Sequence, residues 1–138
     1  WNYKNVFRIS PHGANTSVST FDDYVILSSW LDNHVKIMRP DTGEILESLD
    51  GLNIPVSATK YGDRIAVALQ GNKSITLFNV QNGEGEILAD GFVAPTHVIN
   101  YEEDLLVSDR SNGQILRVNG AGAQEVIDPF QQLNMETE

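Results

Sequence analysis

The sequence predicts an all-β fold, a β-propeller, on three observations: a forty-residue repeat, short apolar runs of strand composition, and Gly, Asn and Asp clusters between those runs. Val25-Ile26-Leu27-Ser28-Ser29, Ile65-Ala66-Val67-Ala68-Leu69 and Leu105-Leu106-Val107-Ser108-Asp109 begin forty residues apart. Asn72 falls on Asn112, Gly43 on Gly83, Asp50-Gly51 on Asp90-Gly91, Pro55 on Pro95, and Tyr61 on Tyr101 with Phe21 one period earlier. A unit of this length holding four short strands is the size of one propeller blade. A small sandwich or barrel would also supply many strands, but it gives no reason for so strict a register.

Residues 1–13 form a leading segment in which Val6-Phe7-Arg8-Ile9 lies within a strand predicted from Asn5 to Ser10. Many propellers seal their ring with such an N-terminal outer strand. Residues 14–53, 54–93 and 94–128 make three blades, and 129–138 a tail or the start of a further blade. In the second unit the predicted strands are Pro55 to Lys60, Ile65 to Leu69, Ser74 to Asn79 and Glu86 to Ala89. The turns between them are Tyr61-Gly62-Asp63, Gln70-Gly71-Asn72-Lys73 and Gln81-Asn82-Gly83. Propellers close with about 4 to 8 blades, so three should not close. The expectation is a half-propeller completed by self-association or by a further chain segment, since exposed blade faces and unpaired edges favour association.

Composition bounds the class. With 138 residues, 41% of them apolar, the chain has the material for one domain and its core. Nineteen acidic against nine basic side chains give a net charge of −10, which opposes phosphate backbones and anionic lipid, so nucleic-acid and membrane-surface roles are not expected. No apolar run approaches the roughly 20 residues of a membrane-spanning helix. The absence of cysteine removes disulfides, thiolate metal sites and cysteine nucleophiles together. The start at Trp1-Asn2-Tyr3-Lys4 carries neither Met nor a signal-peptide pattern and reads as a processed or artificially defined start, with a lean to an extracytoplasmic setting.

The third unit, Pro95-Thr96-His97-Val98-Ile99 through Val107-Ser108-Asp109-Arg110-Ser111-Asn112-Gly113-Gln114-Ile115, resembles an NHL-type blade. In that family a Pro opens the inner strand, and a Val-x-Asp followed by an Asn-x-x-Ile frames the next turn. The first two units match less fully, with Ser29 and Leu69 in the place of Asp109. The related gluconolactonase and senescence-marker-like propellers hold a divalent metal in the channel. Their ligands include the Asn of an Asn-Gly pair, the Asp of a Pro-Asp-Gly at an inner-strand start, and an early Glu. Here Thr96 follows Pro95, Val56 follows Pro55, and Ser17 and Ser19 offer no early carboxylate; Asn53 alone fits a ligand slot. A hard cation needs several converging oxygens, so no metal site is expected among these residues.

Antiparallel strands send successive turns to opposite faces. One face collects Asp22-Asp23, Asp63, Glu102-Glu103-Asp104, Asp41, Glu44 and Glu84, while the other carries Trp30, His34, Lys73, Arg110 and the inner-strand starts. His97 stands where an inner strand enters the channel, and Asp109 is expected to tie its own turn by accepting backbone N–H bonds. No Ser-His-acid motif, phosphate loop or spaced His pair is present. The sequence therefore reads as a non-catalytic propeller segment without cofactor, presenting Trp30, His34, Asn53, His97 and Arg110 to a protein or small ligand. The alternative is the N-terminal half of a metal-dependent lactonase-like hydrolase, which would bring in a divalent cation such as calcium.

Overall fold

The computed structural model describes residues 17–110 and 113–127. The expected leading strand and tail lie outside the described residues, as do His12 and Asn112. Twelve strands follow one another within the described residues, and no helix interrupts them. They are β1 (Ser17–Phe21), β2 (Tyr24–Ser29), β3 (His34–Met38), β4 (Ile45–Leu49), β5 (Pro55–Tyr61), β6 (Arg64–Leu69), β7 (Ser74–Phe78), β8 (Gly85–Asp90), β9 (Pro95–Tyr101), β10 (Asp104–Asp109), β11 (Gln114–Val118) and β12 (Gln124–Ile127). Each consecutive group of four makes one antiparallel sheet in sequential order.

The repeat is written into the backbone as well as the side chains. The turns after the first strands contain left-handed residues at Asp22, Gly62 and Glu102, with φ of 53°, 63° and 57°. Those after the second strands place Asn33, Lys73 and Gly113 at 57°, 53° and 63°. Such residues give short hairpins a twist that matches their strands. In the second unit β5 and β6 extend into their predicted turn, because Tyr61 pairs with Arg64 across the two-residue turn Gly62-Asp63 and so joins both residues to the sheet, while β7 ends at Phe78, one residue short of the predicted Asn79.

The sheets stack through period-two alternation, which sends successive side chains to opposite faces. Along β6, Ile65, Val67 and Leu69 pack with Ile26, Val35, Ile37 and Leu49 of the first sheet. The intervening Ala66 and Ala68 pack with Val98, Leu105, Val107, Leu116 and Val118 of the third. Small alanines facing bulkier aliphatics let the two layers approach closely. Hence β6 and β7 are buried along nearly their whole length. The first strands β1, β5 and β9 pack in succession along one side of the stack, as inner strands of neighbouring blades do.

Moving forty residues along the blade-two face that meets blade three exchanges Ala66 for Leu106, Ile75 for Ile115 and Tyr61 for Tyr101. The corresponding outward face of the third sheet exposes Ile99, Tyr101 and Ile115.

Candidate functional site

On the acidic face the basic side chains are already engaged. Lys60 pairs with Asp22, Arg39 with Glu44 at 3.5 Å, Arg64 with Glu86 at 3.0 Å, and Arg117 with Asp104 at 2.6 Å and Glu102 at 3.2 Å. The Asp104 hydrogen bond, helped by Glu102, outweighs desolvation and holds the Arg117 guanidinium above the ordinary arginine value. A cleft of about 560 Å³ lies on this face, walled by Lys60, Tyr61, Arg64 and Asn100 among others. Its polar groups are also committed: the Tyr61 hydroxyl donates to the Glu103 carbonyl at 3.0 Å and the Asn100 amide to the Lys60 carbonyl at 2.9 Å.

The opposite face is built by a repeating frame of backbone bonds. The Gln70 N–H donates to the Ile54 carbonyl at 2.9 Å, and forty residues on the Arg110 N–H donates to the Ala94 carbonyl at 3.1 Å. Likewise the Leu52 N–H meets the Asn33 carbonyl at 2.9 Å and the Phe92 N–H the Lys73 carbonyl at 3.3 Å. These bonds tie each inner-strand entry to the turn beyond a second strand. They hold Gln70 and Arg110, which follow β6 and β10, at one position of the repeat, the position that Trp30 occupies after β2.

That position lines a cavity of about 390 Å³, together with Val56, Thr96 and His97. Val56 and Thr96 both follow the prolines that open β5 and β9, where the ladder slips by one residue: Pro55 pairs with Leu69 but Ser57 with Ala68, and Pro95 with Asp109 but His97 with Ser108. A bulge of this kind re-aims a side chain out of the regular pleat. The cavity therefore draws on three repeat columns, two at the inner-strand entry and one at a turn, and reads different chemistry from each blade.

Of the five expected site residues, Trp30, His97 and Arg110 come together here. His34 does not project from the loop: it begins β3 opposite Ser29, is 7% exposed, and its Nε2 has no hydrogen-bond partner. The sheet claims its side chain because the turn ends one residue earlier, at the left-handed Asn33. Asn53 is exposed but turned to its own frame. Its side chain lies over Gly71, where a Cβ would fall 2.1 Å from Oδ1, and its amide donates to Asn72 Oδ1 at 2.8 Å. Gln70, Val56 and Thr96 were missed by sequence reasoning. Carrying the forty-residue step from Trp30 to Arg110 would have found Gln70.

Asp109, 2% exposed, accepts from the Val93 N–H at 2.8 Å and the Ala94 N–H at 2.9 Å. It accepts backbone bonds as expected, but from the loop that enters its own inner strand rather than from its own turn. Among the described residues no three His, Asp or Glu side chains are placed to hold a metal ion.

No family model and no curated protein matches the sequence. Solved structures do. A chain of the nidogen/laminin complex superposes with a TM-score of 0.65 at 20% identity, over 80% of this chain and 45% of that one. Selenomethionine-substituted virginiamycin B lyase from Staphylococcus aureus gives a TM-score of 0.69 at 13% identity, over 86% of this chain and 42% of the lyase. A catalytically inactive histidine-to-alanine variant of that lyase, solved with quinupristin, gives 0.61 at 16% identity. This chain spans less than half the length of the first two. Likeness at such identities speaks for the fold alone, and the fold is an all-β propeller of which the described residues make three blades.

Proposed function

We propose that this chain is a segment of an NHL-like propeller that acts as a non-catalytic binding module and takes a protein or small ligand on its loop face. The observation that carries the reading is the cavity where one repeat position supplies an aromatic ring, an amide and a guanidinium in turn, as Trp30, Gln70 and Arg110. A position that only held the fold would be free to repeat one residue. Three different functional groups around one opening are what selective recognition requires, since a few placed polar groups beside apolar surface fix a ligand's orientation. The neighbours offer both kinds of partner: nidogen with laminin, and a lyase with quinupristin. The ring itself is completed by self-association or by further chain, and no cofactor is invoked.

The test is a fragment screen by NMR on isotope-labelled protein, following the Trp30 indole and the His97 ring. Binders should shift these resonances together, and Trp30→Ala should abolish the shifts. Hits scattered over the acidic face would overturn the reading. Thermal unfolding in excess calcium or zinc addresses the lactonase-like alternative, because a ligand that binds only the folded state raises its melting temperature. An unchanged melting temperature is expected.

A further inference from the structure

We infer that the loop-face cavity takes a carboxylate carried next to a flat apolar group, with the carboxylate on Arg110 and the flat group against Trp30. The inference rests on the binding-module reading and names the chemistry of that site. Its first support is a contrast among the arginines. Arg39, Arg64 and Arg117 each lie on a carboxylate of this chain. Arg110 alone among the described arginines has none within ion-pair distance, although the chain carries nineteen acidic side chains. Among the described residues that line the cavity there is no Asp or Glu.

An unpaired guanidinium keeps its fork of donors free for a planar oxyanion, which it can grip through two parallel hydrogen bonds. Its backbone is fixed by the bond to the Ala94 carbonyl, so the side chain departs from a held point. Trp30 is 49% exposed and lines the same cavity. Gln70 and His97 add hydrogen-bonding groups and Val56 adds apolar wall, while the Thr96 hydroxyl donates to the Ala94 carbonyl at 3.0 Å. A volume of about 390 Å³ falls in the range of small-molecule sites, roughly 300 to 1,000 Å³.

The charge of the whole molecule narrows the anion. A net charge of −10 repels anions at a distance, and a phosphate group with up to two charges is repelled more than a carboxylate with one. A single guanidinium matches a single negative charge. The carboxylate can come from a free aromatic acid or from a peptide that ends in an aromatic residue, and both present the same two groups.

Indole-3-acetate, indole-3-acetamide, acetyl-glycyl-tryptophan and inorganic phosphate, titrated separately into the full chain and followed by NMR, test the assignment. Either acid should shift the Trp30 and His97 resonances, and their relative affinity tells free acid from peptide terminus. The neutral amide should bind at least about tenfold more weakly, the loss expected for a charge-assisted hydrogen bond. Arg110→Gln should remove that difference, and Arg110→Lys, which keeps charge without the fork, should restore it in part. Acid and amide binding equally, with Trp30→Ala abolishing both, would leave a binding cavity and overturn the carboxylate. Phosphate binding more tightly than either acid would overturn it too. No shift at the cavity with any probe at millimolar concentration would overturn both readings.

Discussion

The hydroxyl of Ser57 in β5 accepts a hydrogen bond from the backbone N–H of Val98 in β9 at 3.1 Å and faces the Val98 carbonyl at 3.4 Å. Both residues are buried, 4% and 2% exposed, so water cannot replace the bond. One side chain thus joins two inner strands that share no ladder. A related contact stands one blade earlier, where the Ser19 hydroxyl donates to the Ala58 carbonyl at 2.6 Å.

Ser57→Ala therefore leaves the Val98 N–H buried without a partner, at a loss of about 1–3 kcal/mol in unfolding free energy. Urea denaturation of the two proteins measures it. A difference below about 0.5 kcal/mol, the usual scatter for an unremarkable surface substitution, would mean that the inter-strand bond contributes nothing.

Asp109→Ala removes both acceptors of the Val93 and Ala94 N–H groups, and the expected loss is roughly 2–3 kcal/mol, as for hydrogen bonds to a charged group. The effect should reach the cavity. The Ala94 carbonyl holds the Arg110 N–H, and Pro95 and Thr96 follow directly, so releasing that loop frees two cavity walls. Asp109 is in this sense a positioning residue. Asp109→Asn keeps one acceptor oxygen and should recover part of both the stability and the NMR shifts at His97. Unchanged cavity resonances in the Ala variant would confine Asp109 to stability.

How much of this was legible follows from period and register. Strand order and blade number came from residues whose spacing repeats every forty, visible without coordinates. The packing of β6 on both faces was not read there, because Ile65 to Leu69 is an unbroken apolar run in which no alternation of residue types marks two faces. Trp30 and Arg110 were legible because a bulky or charged residue after an apolar strand has to leave the sheet. Asn53 and His34 were not, since their fates rest on contacts outside that pattern. A single left-handed residue, Asn33, returns His34 to the sheet, and a missing side chain at Gly71 makes room for Asn53. The bulges that aim Val56 and Thr96 arise where one ladder pair slips, and no alternation of residue types announces them.

Ile54 carries a left-handed φ of 55°, a conformation that a β-branched residue seldom adopts. It is held by its carbonyl, which accepts from Gln70 N–H at 2.9 Å, and by its N–H, which donates to Asn33 Oδ1 at 3.3 Å. Blade two has Leu69 where blade three has the Asp109 clamp, and the strained entry stands on that unclamped side. Comparing Ile54→Gly with Ile54→Ala isolates the strain, because both remove the same packing. Gly should be the more stable of the two by about 1 kcal/mol, the penalty of the left-handed region for a residue with Cβ. In ordinary backbone the order reverses, with Ala ahead by about 0.4–1 kcal/mol. The sign of the difference in melting temperature decides it.

The outward face of the third blade yields the last prediction. Ile99, Tyr101 and Ile115 are 55%, 44% and 41% exposed, and a shallow apolar cleft of about 150 Å³ runs between His97, Ile99, Leu106 and Ile115. The matching positions of blade two, Thr59 and Ile75, are 6% and 0% exposed because blade three covers them. His97 occupies the place of Ser57, the residue that bonds to the next inner strand. A face whose counterpart seats a blade, and which keeps apolar groups in water, should associate when the chain stands alone. Light scattering after size exclusion should give a mass near twice 15.2 kDa that persists on dilution. Ile99→Glu with Ile115→Glu should return the mass to that of one chain while the far-ultraviolet circular dichroism keeps its strand signature, since neither side chain enters the packed interface with blade two. A wild-type monomer at every concentration would overturn the association, and so would a dimer that both glutamates leave intact.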